Sequence, residues 1–132
     1  MKFDFIIVHE SGHEWFANNI TYKDIADMWI HESFTNYSES LFVEYYYGKE
    51  AGAQYVRGCR KNIDNDKPII GHYDVNSEGS GDMYPKGANM LHTIRQILRD
   101  DAKWKSILRG LNTTFYHQTV TTKQIEDYMS TN

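Results

Sequence analysis

Val8-His9-Glu10-Ser11-Gly12-His13-Glu14-Trp15 is the stretch that decides how this chain reads. Two histidines four residues apart on a helix project from one face, about one turn from each other. Both imidazoles then reach a single metal ion. Glu10 lies between them and can hold a water bound to that ion. This is the H-E-x-x-H arrangement, in which the histidines bind zinc and the glutamate acts as general base. Phe5, Ile6, Ile7 and Val8 run into it with no proline, so a helix is allowed locally. That first helix is expected from about Asp4 to Ala17.

Catalytic zinc is typically held by three protein ligands, with water or substrate in the remaining position, and two histidines with one glutamate are a standard set. The best third ligand is Glu32, in Asp27-Met28-Trp29-Ile30-His31-Glu32-Ser33-Phe34. It follows the turn-like stretch Asn18-Asn19-Ile20-Thr21-Tyr22-Lys23. A second helix starting near Asp24 has apolar residues Ile25, Met28 and Trp29 at helical spacing. Packed antiparallel on the first, it brings Glu32 toward His9 and His13.

Val8 to Asn18, followed by Asp27 to Phe34, resembles the aminopeptidase N-type zinc peptidases, which are gluzincins with a thermolysin-like catalytic domain. Their pattern is H-E-x-x-H-x-W-F-G-N, then W-L-N-E-G-F-A after a fixed gap, and the gap from His13 to Glu32 is the family's. Met83-Tyr84-Pro85-Lys86-Gly87-Ala88 is similar to the family's Y-E-K-G-A, whose tyrosine is catalytic. The resemblance covers nearly the whole chain, with its motifs in the family's order. It implies that His9, His13 and Glu32 bind one zinc ion and that Glu10 activates water. It implies that Tyr84 donates a hydrogen bond to the oxyanion of the tetrahedral intermediate. Glu39 matches a family glutamate one heptad after the ligand glutamate. It shares a face with Glu32, which suits it to back a zinc-binding histidine.

The chain departs from the pattern at four places. His31 and Ser33 flank the ligand glutamate where the family has Asn and Gly. Ala17 replaces the Gly of W-F-G-N, and Pro85 replaces the Glu of Y-E-K-G. None of these removes a metal-binding group. The spacing from Glu32 to Tyr84 is shorter than in most relatives. The family's G-x-M-E-N motif, whose glutamate binds a substrate's free amine, does not occur in these residues, nor does the β-rich lobe that walls the cleft. The expectation is therefore a mainly α fold: residues 1–132 as one helical subdomain, the helical lobe of a thermolysin-like zincin catalytic domain, and a fragment of a larger peptidase. Its implied partners are a peptide substrate and the missing N-terminal lobe.

Bulk properties narrow the alternatives. The length suits one domain. Net charge is −4, from 14 basic and 18 acidic residues that are interspersed, which argues against nucleic acid or an anionic membrane as partner. Ten tyrosines contribute to the aromatic content, and a chain lacking a partner lobe should expose some of them. The single cysteine, Cys59, has no internal disulfide partner and reads as a core thiol. No apolar stretch is long enough to span a membrane. Met1-Lys2-Phe3-Asp4 does not read as a signal peptide. Compartment is not readable from these features.

Along the chain, about six helices are expected around an irregular central loop. The second runs to Tyr47 and ends at Gly48, and a third runs from Lys49 to Arg60. Asn62 to Gly81 has loop composition and is expected to line the cleft before Tyr84. The fourth helix spans about Pro85 to Arg99, with Leu91, Ile94 and Leu98 as its buried stripe. The fifth carries Trp104, Ile107, Leu108, Leu111 and Phe115 at helical spacing. The sixth follows a capping box at Thr121-Thr122-Lys123-Gln124 and buries Ile125, Tyr128 and Met129. No strand is expected. His31, His72, His92 and His117 read as surface or packing residues, and His31 also as a weaker substrate-pocket candidate. Glu14, Glu44 and Glu50 read as solvated helix charges. Zinc-dependent peptide hydrolysis is the leading functional reading. The alternatives are a catalytically silent zinc-binding or peptide-binding module, and a gluzincin hydrolase acting on a non-peptide bond.

Overall fold

The motif helix, α1, spans Phe5–Gly12 in the computed structural model, which describes residues 3–132. It is shorter than expected, because the α-helix does not continue to Ala17. From Glu14 to Asn19 the turn widens: the Asn18 N–H reaches the His13 carbonyl, and backbone angles leave the helical region at Phe16 and Ala17. The chain then enters a three-residue strand, β1 (Ile20–Tyr22). It pairs in parallel with β2 (Gln118–Val120), Ile20 opposite Gln118. These strands correct the expectation of none. Each is too short for period-two alternation to declare itself.

A 3-10 turn over Ile25–Asp27 precedes α2, which spans Trp29–Tyr47 rather than starting near Asp24. The Asp24 side chain caps that turn by accepting from the Ala26 N–H. Helix α2 is the spine of the fold. Trp29, Ile30, Phe34, Tyr37 and Val43 along it are all buried. It ends at Gly48, whose φ of 94° lies in the region that favours glycine. Helix α3 follows over Lys49–Gly58, with a 3-10 turn at Cys59–Asn62 where the expected helix loses its α-form. Helix α4 spans Pro85–Leu98, α5 Asp101–Thr114 and α6 Thr122–Thr131. Pro85 sits in the first turn of α4, Asp100 caps α5, and the capping box of Thr121 with Gln124 starts α6.

The core gathers Trp29, Ile30 and Phe34 of α2 with Leu91 of α4, Trp104 and Leu111 of α5, and Ile125 of α6. Its aromatic N–H groups are satisfied: Trp29 donates to Thr122 Oγ1 at 2.7 Å, and Trp104 to the Tyr37 hydroxyl at 3.1 Å. Three expectations need correction. Ile94 is exposed, so the buried stripe of α4 is carried by Ala88, Leu91 and Leu98. Glu44 is not an ordinary solvated charge, since both its oxygens accept from the buried Arg95 at 2.7 and 2.8 Å. The segment 62–81 packs beneath the core rather than along the metal-site cleft: Ile69 and Ile70 contact the core, and the Gly71 N–H reaches the Ala26 carbonyl. No helix among the described residues is long and apolar enough to cross a membrane.

Candidate metal centre

Gly12 sets the approach of α1 to α2. A Cβ there would lie 2.7 Å from Ser38 Oγ and 3.0 Å from Thr35 Cγ2, so only glycine lets the two helices meet this closely. The contact directs His9 and His13 at the first turn of α2. His9 Nε2 lies 3.1 Å from Glu32 Oε2, and His13 Nε2 lies 3.6 Å from the same oxygen. A nitrogen of each histidine and a carboxylate oxygen of Glu10 lie within 4.8 Å of one another. Glu10 is exposed on the cleft side, while Glu32 is buried.

The far side of each imidazole is occupied. His9 Nδ1 is 2.8 Å from Glu39 Oε1. His13 Nδ1 is 3.1 Å from the Phe16 carbonyl, which the widened turn after α1 carries back to it. With each Nδ1 engaged by these acceptors, both Nε2 atoms face the point where Glu32 also points. Two imidazole nitrogens and a carboxylate oxygen, with an open side toward a cleft, fit a zinc ion with three protein ligands.

That cleft, about 580 Å³, is lined by Phe5, Ile6, His9, Glu10, His13, Glu32, Asn36, Glu39 and Tyr84. The Tyr84 ring stacks on His9 with centroids 5.8 Å apart. Burial, reinforced by the Glu32 charge, pushes the Tyr84 phenol up to about 12, so it is a proton donor at neutral pH. A larger apolar groove, about 760 Å³, runs along another face of α1 past Ile7, Trp15, Phe42 and Leu108. Among the described residues no histidine or carboxylate lines it, and the cluster of His9, Glu10, His13 and Glu32 belongs to the smaller cleft.

The remaining histidines stand apart from this cleft. His31 is buried and does not line it. Its ring stacks on Tyr22 at 4.2 Å, and its Nε2 accepts from the Tyr22 N–H at 3.0 Å, which ties β1 to α2. Burial, partly opposed by Glu32, lowers its pKa to about 4, so it is neutral. His92 is also buried, whereas His72 and His117 are exposed. Glu14 is exposed and accepts from Asn18, and Glu50 pairs with Arg57 in solvent. Sequence reasoning missed Asn36 and Tyr55, both of which donate to Glu39. Asn36 is three residues before Glu39 on the same helix and was findable by spacing. Tyr55 comes from α3, and nothing local marks it.

The sequence profile of the Peptidase family M1 domain matches residues 2–132. Aminopeptidase N of Lactobacillus helveticus is 31% identical over 124 residues, covering 85% of this chain and 14% of that protein. Endoplasmic reticulum aminopeptidase 1 of Homo sapiens is 26% identical over 123 residues, covering 86% of this chain and 13% of that protein. The crystal structure of an M1 zinc metallopeptidase from Deinococcus radiodurans superposes with a TM-score of 0.81 at 25% identity, over 96% of this chain and 29% of that one. The chain thus spans a small part of the length of each of these proteins.

Proposed function

The chain belongs to peptidase family M1, and from that premise we propose that it carries the metal-binding half of a zinc-dependent peptidase active site, of aminopeptidase type in a longer parent protein. His9, His13 and Glu32 would hold one zinc ion. The observation that carries the reading is the convergence of both Nε2 atoms on Glu32 Oε2, at 3.1 and 3.6 Å, with Glu10 at the open side. Zinc, when bound, supplies Lewis acidity that lowers the pKa of water toward ~7 and polarises the scissile carbonyl.

The chain's own residues supply the rest. Glu10 takes the proton of the attacking water and later delivers it to the leaving amine. The protonated Tyr84 hydroxyl donates to the oxyanion of the tetrahedral intermediate. Glu39 holds His9 by its Nδ1, and the Phe16 carbonyl holds His13 likewise, so neither ring has to reorganise. The reaction is peptide hydrolysis without a covalent intermediate.

Substrate alignment is the contribution of a further lobe. Phe5, Ile6, Ile7 and Trp15 on and just beyond α1 are each more than half exposed, at 51, 54, 64 and 55%. Phe5 and Ile6 line the cleft and Ile7 and Trp15 the neighbouring apolar groove, and such exposure supports cover by another part of the parent protein. Positioning of a substrate is worth ~7–11 kcal/mol of a barrier, so this chain alone is expected to hydrolyse aminoacyl amides slowly. The test compares the parent protein with its Glu10→Gln variant on one aminoacyl amide. Loss of turnover with zinc retained is expected. Full turnover in Glu10→Gln would show that Glu10 is not the general base.

A further inference from the structure

We propose that Tyr55 is a positioning residue for the metal centre, acting through Glu39 on His9; this rests on the zinc reading of that centre. Glu39 is 1% exposed, and its carboxylate meets three donors. His9 Nδ1 and Asn36 Nδ2 reach Oε1, each at 2.8 Å, and the Tyr55 hydroxyl donates to Oε2. A buried carboxylate is tolerated as an anion only when donors meet its lone pairs. Among the described residues Tyr55 is the one donor to Glu39 from outside the segments that carry His9, His13 and Glu32, and it does not line the cleft.

The fold goes to some length to bring Tyr55 there. Gly48 turns the chain from α2 into α3. Gly52 then lets α3 lie against α2: a Cβ on it would fall 2.7 Å from Glu44 Cβ and 2.8 Å from the Ser40 carbonyl oxygen. Tyr55 follows Gly52 by about one turn. Its ring packs edge-on against Phe3, centroids 5.4 Å apart, which fixes the direction of its hydroxyl. Burial and the Glu39 carboxylate push the phenol far above its ordinary range, so it stays a donor.

The consequence is geometric. With Oε2 pinned by Tyr55, the carboxylate plane is fixed and Oε1 faces His9 Nδ1. The His9 ring is then fixed with Nε2 toward Glu32 Oε2. Without the hydroxyl, the carboxylate is free to turn and the ring loses its set orientation. Partners at this remove change metal affinity by about 10–100-fold.

The experiment measures zinc affinity of the full chain by chelator competition, for the unaltered protein, Tyr55→Phe, Glu39→Gln and His13→Ala. Absorption of the cobalt(II)-loaded forms reports ligand geometry, and melting of the metal-free forms reports the fold. Tyr55→Phe keeps the ring packing and is expected to stay folded, to bind zinc about tenfold more weakly, and to shift the cobalt spectrum. A merely structural tyrosine would lower melting and leave affinity and spectrum unmoved. Unchanged affinity and spectrum in Tyr55→Phe overturn the proposal, whatever Glu39→Gln does. Unchanged affinity in His13→Ala would overturn the zinc reading instead. Should Tyr55→Phe fail to fold, the unaltered protein decides by proton NMR. Its Tyr55 hydroxyl signal should be protected from exchange and should shift on adding zinc, and a signal indifferent to zinc overturns the proposal.

Discussion

Gly87 of α4 lies directly against Ser33 of α2: a Cβ added at Gly87 would fall 1.8 Å from Ser33 Oγ and 2.4 Å from Ser33 Cβ. Ser33 is fully buried, and its hydroxyl donates to the Met83 carbonyl at 2.7 Å. Glu32 immediately precedes Ser33 in the chain, and Tyr84 immediately follows Met83. The close crossing of α2 and α4 therefore sets the place of Tyr84 over the metal centre.

Helix propensity alone would make Gly87→Ala stabilising by about 1 kcal/mol. The clash with Ser33 reverses the sign. Overpacking a closed contact costs about 1–3 kcal/mol, and urea unfolding of Gly87→Ala should show a loss of that size. Gly58, also helical, has nothing within 4 Å of its added Cβ. Gly58→Ala should be neutral or stabilising, by up to about 1 kcal/mol. Equal behaviour of the two variants would contradict the crossing geometry.

The two variants also mark what the sequence discloses. The shared face of His9 and His13 is legible because helical spacing fixes it, whereas the arrival of Glu32 depends on how α2 packs against α1. The caps at Gly48 and Thr121 are legible for the same local reason. The stripe of α4 is legible only in part, since Ile94 satisfies the period and still faces solvent. The rest depends on contacts between residues far apart in the chain. Pairing of β1 with β2 joins residues 20–22 to 118–120, and no three-residue segment signals its partner. Glu44 reads as a surface charge until Arg95 of α4 arrives against it. Tyr55 becomes relevant only because Gly52 allows α3 to approach α2. The widened turn after α1, which brings the Phe16 carbonyl to His13, replaces a helical continuation that the residues themselves permit.

Titration of His9 and His31 is expected to place the stability maximum of the metal-free chain near pH 6.5. Burial pulls the His9 pKa down, but hydrogen bonds to Glu32 and Glu39 and their charges outweigh it, raising the value from 6.5 to about 9. Stability from that proton is fully present below pH 6.5 and is lost as pH rises through about 9. Burial lowers the His31 pKa from 6.5 to about 4. Stability from neutral His31 is present above pH 6.5 and is lost as pH falls toward 4. Melting temperature of the metal-free chain should therefore fall on both sides. Zinc uptake below about pH 9 should displace the His9 proton. Calorimetry at pH 7 in buffers of different ionisation enthalpy should detect that release, and its absence would show that zinc does not displace a proton from His9.

Zinc and fold are expected to be coupled but separable. The contacts of Leu91, Trp104, Leu111 and Ile125 do not involve the metal centre. A ligand that binds only the native state adds about 2.7 kcal/mol at a hundredfold excess over its Kd. Chelation should accordingly lower the melting temperature by several degrees while leaving helical circular dichroism in place. Collapse of that signal on chelation would mean that the metal nucleates the fold.

His9, His13 and Glu32 together are expected to hold one zinc ion. Metal analysis of the chain, purified without chelator at neutral pH, tests it most directly. One zinc per chain is expected, retained in Glu10→Gln and sharply reduced in His13→Ala. A His13→Ala protein with as much zinc as the unaltered chain would contradict it.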